Sequence, residues 1–117
     1  MKYLVTDDSK LARLSLIKSL KTHEANAEIF QAENGELGVS TIKNEEIDIV
    51  FLDLTMPVMD GYTALPLMLE ANPNLKIIVV SADIQEQAKT KVLELGARLH
   101  VQKPINADKM QEILGSL

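Results

Sequence analysis

The sequence contains no cysteine and no tryptophan, and only two tyrosines and two phenylalanines among its 117 residues. Without cysteine the chain can form no disulfide, no thiol nucleophile and no cysteine-ligated zinc or iron–sulfur site. Its two histidines, His23 and His100, are too few for a multi-histidine metal centre unless carboxylates assist them. Any metal site in this chain therefore depends on oxygen ligands.

Long apolar stretches and hinge-like segments are also absent. No apolar run approaches the ~18 residues that a membrane-spanning helix needs, and the acidic pair Asp7-Asp8 comes too early for a signal peptide. No Pro/Gly/Ser-rich linker divides the chain, so we expect one domain over residues 1–117. The formal charge of −5, from 12 bases and 17 acids, disfavours direct nucleic acid binding. We expect a cytoplasmic protein without membrane insertion.

Short β-type runs alternate with longer stretches of helical periodicity, which predicts an α/β fold with a doubly wound, five-stranded parallel sheet and helices on both faces. The predicted strands are residues 3–6, 27–32, 47–52, 75–80 and 99–101. We expect the fourth helix to begin at Ser81 or Asp83. Pro66 lies about one turn into the third helix, so that helix is expected either to start later or to be kinked.

Polar residues stand where four of the predicted strands end, namely Asp7-Asp8, Asp53, Ser81 and Lys103-Pro104. In a parallel α/β sheet the functional site lies at the carboxyl ends of the strands. Crowded carboxylates repel one another unless a cation is present, and Mg²⁺ prefers such oxygen ligands. A lysine suits a phosphoryl oxygen, and a carboxylate can accept a phosphoryl group. The sequence therefore predicts a site that loads a phosphoryl group onto an aspartate.

The order of these strand-end residues resembles that of response-regulator receiver domains, and among them the single-domain chemotaxis regulators. Residues 53–61 are similar to the phosphoacceptor loop of that family, and residues 96–104 to its final strand. The resemblance covers essentially the whole chain. It implies a flavodoxin-like (βα)5 fold with strand order 2-1-3-4-5.

The resemblance also implies a Mg²⁺ site. Asp8 and Asp53 would ligate the ion directly, Asp7 mostly through water, and Thr55 through its backbone carbonyl. Mn²⁺ is expected to be able to replace Mg²⁺ there.

Further site residues follow from the resemblance. Asp53 would be the phosphoacceptor, and Lys103 would pair first with its carboxylate and then with the phosphoryl oxygens. Ser81 would donate a hydrogen bond to the phosphoryl group, and the Lys103–Pro104 peptide bond would be cis. The chain would thus catalyse only its own phosphorylation and dephosphorylation, and would not otherwise be an enzyme.

A conformational switch is implied as well. Ser81 and His100 stand at the family's switch positions, where His100 replaces the usual aromatic residue. Thr55 and Asp83 stand at the positions that tune the access of water. Phosphorylation would shift a two-state equilibrium of residues 84–116, the face formed by the fourth helix, fifth strand and fifth helix. That face would bind a downstream protein, and phosphorylation could also drive dimerisation.

The implied phosphodonor is a sensor histidine kinase or a histidine-phosphotransfer domain. The first predicted helix carries four bases and no acid between residues 9 and 23, namely Lys10, Arg13, Lys18 and Lys21. This pattern is typical of an ordinary solvated helix face. The alternative, implied by the resemblance, is a docking surface for the phosphodonor, because members of the family use this helix to bind a histidine-phosphotransfer partner.

Three other interpretations remain open. The chain could be a receiver domain cut from a longer DNA-binding or enzymatic regulator. A flavodoxin-like cofactor binder would share the fold, but residues 7–10 are acidic where such a protein needs a phosphate-binding loop. A phosphatase with an aspartate nucleophile would carry that nucleophile after the first strand, whereas the best acceptor here, Asp53, follows the third.

Overall fold

Five strands and five helices alternate along the chain in a computed structural model that describes residues 1–82 and 85–117. The elements are β1 (Lys2–Thr6), α1 (Lys10–His23), β2 (Glu28–Ala32), α2 (Gly35–Asn44), β3 (Ile49–Leu52), α3 (Gly61–Ala71), β4 (Lys76–Ser81), α4 (Glu86–Glu94), β5 (Leu99–Gln102) and α5 (Ala107–Gly115). Among the described helices, none has both the length and the apolar character to cross a membrane.

All five strands form one parallel sheet in the order β2-β1-β3-β4-β5, which confirms the predicted fold and topology. The central strands β1, β3 and β4 are buried along nearly their whole length, whereas the edge strands β2 and β5 are only partly covered. This difference agrees with the sequence, because the third and fourth strands are continuous apolar runs and the second alternates with polar residues.

The sheet separates two hydrophobic cores, since successive side chains of a strand point to opposite faces. Leu4 of β1 packs with the side chains of α2 and α3, while its neighbours Tyr3 and Val5 pack with those of α1 and α5. The rings of Tyr3 and Phe51 stack across β1 and β3 with centroids 6.3 Å apart. With both faces covered by helices, the polar chemistry of the central strands is confined to their ends.

Four helices begin at a capping side chain. Ser9, Asn34, Asp60 and Asn106 each accept a hydrogen bond from the backbone N–H three residues later. Such caps contribute about 1 kcal/mol each by satisfying an unpaired N–H in the first turn. All four caps lie at the carboxyl edge of the sheet, because the loops after β1, β2, β3 and β5 end at them.

The predicted start of the fourth helix at Ser81 is wrong. Ser81 is the last residue of β4, where its carbonyl accepts a hydrogen bond of 2.9 Å from the Lys103 N–H. α4 begins at Glu86, with Gln85 as the N-cap residue. A serine can cap a helix only where the strand before it has ended. Here the hydrogen bond from Lys103 keeps Ser81 in β4. Asp83, the other predicted start, lies outside the described residues.

Pro66 lies inside α3, which begins at Gly61 directly after the Asp60 cap. Of the two expected alternatives, the later start is therefore excluded, and the helix continues past the proline to Ala71. Proline has no N–H, so the helical hydrogen bond to the carbonyl four residues earlier is missing at this turn. Pro66 is exposed, and the ring therefore faces away from the core.

Candidate functional site

Three aspartates meet at the carboxyl edge of the sheet. Carboxylate oxygens of Asp7, Asp8 and Asp53 all lie within 4.8 Å of one another. Asp7 and Asp53 are buried, with 6% and 7% of their surface exposed, whereas Asp8 is exposed. The span is close to the ~4.2 Å that separates opposite ligands of one Mg²⁺, and the donors are of the type that this ion prefers. The residues therefore fit a magnesium site with one side open to solvent.

Strand pairing places the two buried aspartates side by side. The hydrogen-bond ladder continues one residue beyond the strands, because the Asp7 N–H donates to the Ala32 carbonyl (3.0 Å) and the Asp53 N–H to the Thr6 carbonyl (2.9 Å). Both side chains consequently leave the sheet at the same level. The predicted convergence of strand-end carboxylates thus follows from parallel register alone.

Lys103 reaches the same point from the end of β5. Its Nζ lies 2.6 Å from Asp7 Oδ2 and 3.4 Å from Asp53 Oδ1. The Lys103–Pro104 peptide bond is cis. The site thus combines three carboxylates with one ammonium group, which leaves it with an excess of negative charge.

The excess of negative charge and the burial of the site shift the pKa values of its residues. The pKa of Asp53 is raised above its ordinary value, first because the carboxyl is buried and second because the Asp7 charge is close. Lys103 offsets part of that effect. Burial by itself would lower the pKa of Lys103, but the hydrogen bond to Asp7 and the charge of Asp53 outweigh it and raise that pKa. The lysine is therefore a permanent cation, and Asp53 gains from any further positive charge.

The loop after β1 is fixed by bonds to Asp7. Its Oδ1 accepts a hydrogen bond of 2.9 Å from the Ser9 N–H. Arg13 donates from Nη1 to the Asp7 carbonyl (2.7 Å) and from Nε to Gln31 Oε1 (3.0 Å). Arg13 thus helps to fix the loop that carries Asp7 and Asp8, a role that the sequence interpretation missed by grouping it with the bases Lys10, Lys18 and Lys21. A helical charge pattern alone could not reveal a bond to a backbone carbonyl.

The loop after Asp53 folds back onto it. The Gly61 N–H donates to the Leu54 carbonyl at 2.9 Å, and a Cβ on Gly61 would overlap the Asp53 carbonyl oxygen. Thr55 in this loop is exposed, and Ser81 at the end of β4 is buried with 4% of its surface accessible. Glycine at position 61 is therefore required for the chain to pass this close to the candidate phosphoacceptor.

His100 lies on β5, away from the carboxylates. Its neighbours Leu99 and Val101 pack with the core on the α1 and α5 side, so the alternation of the strand directs the imidazole to the other face. The residue is half-buried, and within residues 1–82 and 85–117 its buried Nε2 has no hydrogen-bond partner. It lines a groove of about 210 Å³ together with Glu86, Lys89 and Gln102. Asp83, predicted to tune the site, lies outside the described residues.

Some of the known proteins similar to this chain are about as long as it is, and others are much longer. The chain is 34% identical to the chemotaxis protein CheY of Listeria monocytogenes over 114 residues, which cover 97% of this chain and 95% of that protein. It is also 36% identical over 106 residues to a protein-glutamate methylesterase/protein-glutamine glutaminase of Rhodospirillum rubrum. That match covers 89% of this chain, but the chain spans only about a quarter of that relative's length (27%).

A solved structure of a CheY protein also resembles this chain. The CheX–CheY–BeF3–Mg²⁺ complex from Borrelia burgdorferi contains a chain that superposes on this one with a TM-score of 0.92 at 34% identity, covering 99% of this chain and 87% of that one. Residues 3–115 match the response regulator receiver domain family. The chain belongs to that family and is a CheY-like receiver domain.

Proposed function

We propose that this receiver accepts a phosphoryl group on Asp53 from a phosphohistidine of a sensor histidine kinase or a histidine-phosphotransfer domain. One observation carries the proposal, namely that Asp53 is buried within 4.8 Å of two other carboxylates and 3.4 Å from the Lys103 ammonium. A buried acid among acids is unfavourable for folding, and its presence suits a site that binds a cation and then a charged group.

In the proposed reaction an Asp53 carboxylate oxygen attacks phosphorus in line with the leaving nitrogen. The oxygen–phosphorus bond forms, the phosphorus–nitrogen bond breaks, and the histidine leaves with that electron pair. Lys103 moves its charge from the carboxylates to the phosphoryl oxygens, where it stabilises the transition state. When bound, Mg²⁺ supplies the positive charge that offsets both the carboxylates and the phosphoryl oxygens. Asp7, Asp8, Asp53 and the Thr55 carbonyl are the ligands we propose for it.

Phosphorylation is proposed to act on the face formed by α4, β5 and α5. Ser81 would donate a hydrogen bond to the phosphoryl group, and His100 would change position in response. Two features support this. The Ser81 carbonyl is bonded to the Lys103 N–H, which links the end of β4 to β5. His100 lies on β5 and lines the groove formed with Glu86, Lys89 and Gln102. The downstream partner would bind this face, and a phosphorylation-dependent dimer could form there.

We propose that the chain works alone as a cytoplasmic signalling protein without direct nucleic acid binding, and that it is no enzyme beyond its own phosphorylation and dephosphorylation. The near-complete coverage of chemotaxis relatives supports this. The second candidate is the receiver part of a longer enzyme, since the methylesterase relatives match over about a quarter of their length. Sequencing the complete gene distinguishes the two.

The proposal is tested by incubation with acetyl phosphate, with and without Mg²⁺, followed by intact mass measurement. The wild type should gain one phosphoryl group only in the presence of Mg²⁺. Asp53→Ala should gain none, while Asp48→Asn, a change in an exposed acid before β3, should behave as the wild type. Phosphorylation of Asp53→Ala would refute the assignment of Asp53. A yellow flavin spectrum would instead favour a flavodoxin-like cofactor binder. Turnover of small phosphate esters would favour a phosphatase with an aspartate nucleophile.

A further inference from the structure

Arg13 differs from the other basic residues of α1. The lysines of this helix are exposed, whereas Arg13 is half-buried and its guanidinium donates to two acceptors on other elements. Nη1 lies 2.7 Å from the Asp7 carbonyl in the loop after β1, and Nε lies 3.0 Å from Gln31 Oε1 on β2. A guanidinium presents its donors in a rigid planar fork, so both acceptors are held in a fixed geometry. Arg13 therefore ties the loop after β1 to α1 and to β2.

The bond to the Asp7 carbonyl also acts on the next residue. This carbonyl belongs to the peptide group that joins Asp7 to Asp8, and the atoms of a peptide group, including the following Cα, lie in one plane. Arg13 thus fixes the plane from which the Asp8 side chain extends. Asp8 depends on such support, because its carboxylate is exposed and, in the described part of the chain, no hydrogen bond or ion pair holds it.

Asp7, in contrast, is held at every polar atom. Its N–H donates to a carbonyl of β2 at 3.0 Å, its Oδ1 accepts from the Ser9 N–H at 2.9 Å, and its Oδ2 lies 2.6 Å from Lys103 Nζ. The Arg13 guanidinium binds the remaining acceptor, the Asp7 carbonyl. The two neighbouring aspartates of the proposed Mg²⁺ site therefore differ. Asp7 is fixed by its own side chain, and Asp8 is positioned through the backbone that Arg13 holds.

We infer that Arg13 is a positioning residue that favours Mg²⁺ over Ca²⁺ at the proposed metal site. The inference rests on the proposed function and adds to it the residue that sets the choice of ion. Mg²⁺ requires near-octahedral geometry with bonds of ~2.0–2.1 Å, whereas Ca²⁺ accepts bonds of ~2.3–2.6 Å in variable arrangements. A loosened Asp8 should therefore weaken the binding of Mg²⁺ more than that of Ca²⁺. The charge of Arg13 cannot produce this difference, because it repels both divalent ions alike.

The test measures the dissociation constants of MgCl2 and CaCl2 by NMR titration of the labelled protein. Arg13→Met should raise the constant for Mg²⁺ by about fivefold or more and leave that for Ca²⁺ within about twofold. Arg13→Lys keeps the charge, but a single ammonium does not reproduce the planar fork, so the ratio of the two constants should change in the same direction. Gln31→Leu removes one of the two acceptors and should change the ratio in that direction by about twofold.

Lys18→Met is the matched control, because it removes a positive charge from an exposed position of the same helix. It should leave the ratio unchanged. Equal weakening of both ions in the Arg13 variants would mean that Arg13 only supports the fold, and tighter binding of both ions by Arg13→Met would mean that its charge dominates. Either result overturns the inference, as does an unchanged ratio. Gln31→Leu leaves Arg13 in place and decides the question if the Arg13 variants fail to fold. If the wild type binds no Mg²⁺, the proposed metal site itself is refuted.

Discussion

The Lys103 ammonium lies 2.6 Å from Asp7 Oδ2. The same nitrogen is 3.4 Å from Asp53 Oδ1, so the lysine lies closer to Asp7 than to the candidate phosphoacceptor. One cation thus serves two buried carboxylates. A third carboxylate, that of Asp8, lies within 4.8 Å of the other two. The folded chain therefore carries an electrostatic cost that further positive charge would relieve.

Removal of that cation should weaken both the fold and the reaction. We expect Lys103→Met to lower the free energy of unfolding at pH 7 by about 1–2 kcal/mol in EDTA, less than for a fully buried pair because Lys103 is partly exposed. It should also slow phosphorylation by acetyl phosphate at least tenfold, since the phosphoryl oxygens lose their charge partner. Urea titrations and single-turnover mass measurements test these effects. Lys18→Met, at an exposed position of α1, is the control, and an equal effect of the two variants would contradict the account.

The raised pKa of Asp53 gives a pH dependence with a definite sign. Its ordinary value is 3.8, and the fold disfavours the charged form. As the pH rises from that value through the raised pKa, the unfolded chain ionises first, so the metal-free protein loses stability. Asp53→Asn lacks this titration. The stability of the wild type relative to Asp53→Asn should therefore fall between acidic and neutral pH, as measured by urea titration in EDTA.

Mg²⁺ should reverse the order of stability at neutral pH, so that the wild type becomes more stable than Asp53→Asn. The ion binds the folded wild type, and at 100 times its dissociation constant the stabilisation is about 2.7 kcal/mol. Asp53→Asn retains two of the three carboxylates and should gain less. If the metal-free wild type proved more stable than Asp53→Asn at pH 7, or if both gained equally from Mg²⁺, the electrostatic description of the site would be wrong.

Gly61 links the geometry of the loop to the chemistry of Asp53. A Cβ there would overlap the Asp53 carbonyl oxygen, and backbone cannot easily yield. Gly61→Ala should cost about 2 kcal/mol or more of unfolding free energy, and should slow phosphorylation of the fraction that remains folded. Gly115→Ala is the matched control, because a Cβ at Gly115 meets nothing within 4 Å. Equal stability of the two alanine variants would contradict the proposed close approach.

The sequence predicted the fold and the position of the acidic cluster because both depend on simple periodic rules. Continuous apolar runs identified the buried strands, and parallel pairing then brings the strand-end residues Asp7, Asp53 and Lys103 together. The start of α4 was mispredicted for a related reason. Ser81 is a good capping residue, but its carbonyl is bonded within the sheet, and tertiary pairing took precedence over local propensity.

Features that depend on three-dimensional contacts of single atoms could not be predicted. The bond from Arg13 to the Asp7 carbonyl leaves no trace in a charge pattern. The positive φ of Val58 is hidden because glycine, the usual sign of that conformation, is absent. The contact between Tyr3 and Glu24 at the opposite edge of the sheet joins β1 to the end of α1, and no motif indicates it.

The most direct test of the central claim is to locate the phosphoryl group. The wild type is phosphorylated with acetyl phosphate and Mg²⁺ and then reduced with borohydride, which converts an aspartyl phosphate to homoserine. Peptide sequencing by mass spectrometry identifies the converted residue. The account predicts homoserine at position 53 and unmodified aspartate at Asp7, Asp8 and Asp60. Homoserine at any of those three positions, or a phosphoryl group that remains on a serine or threonine after reduction, would contradict it.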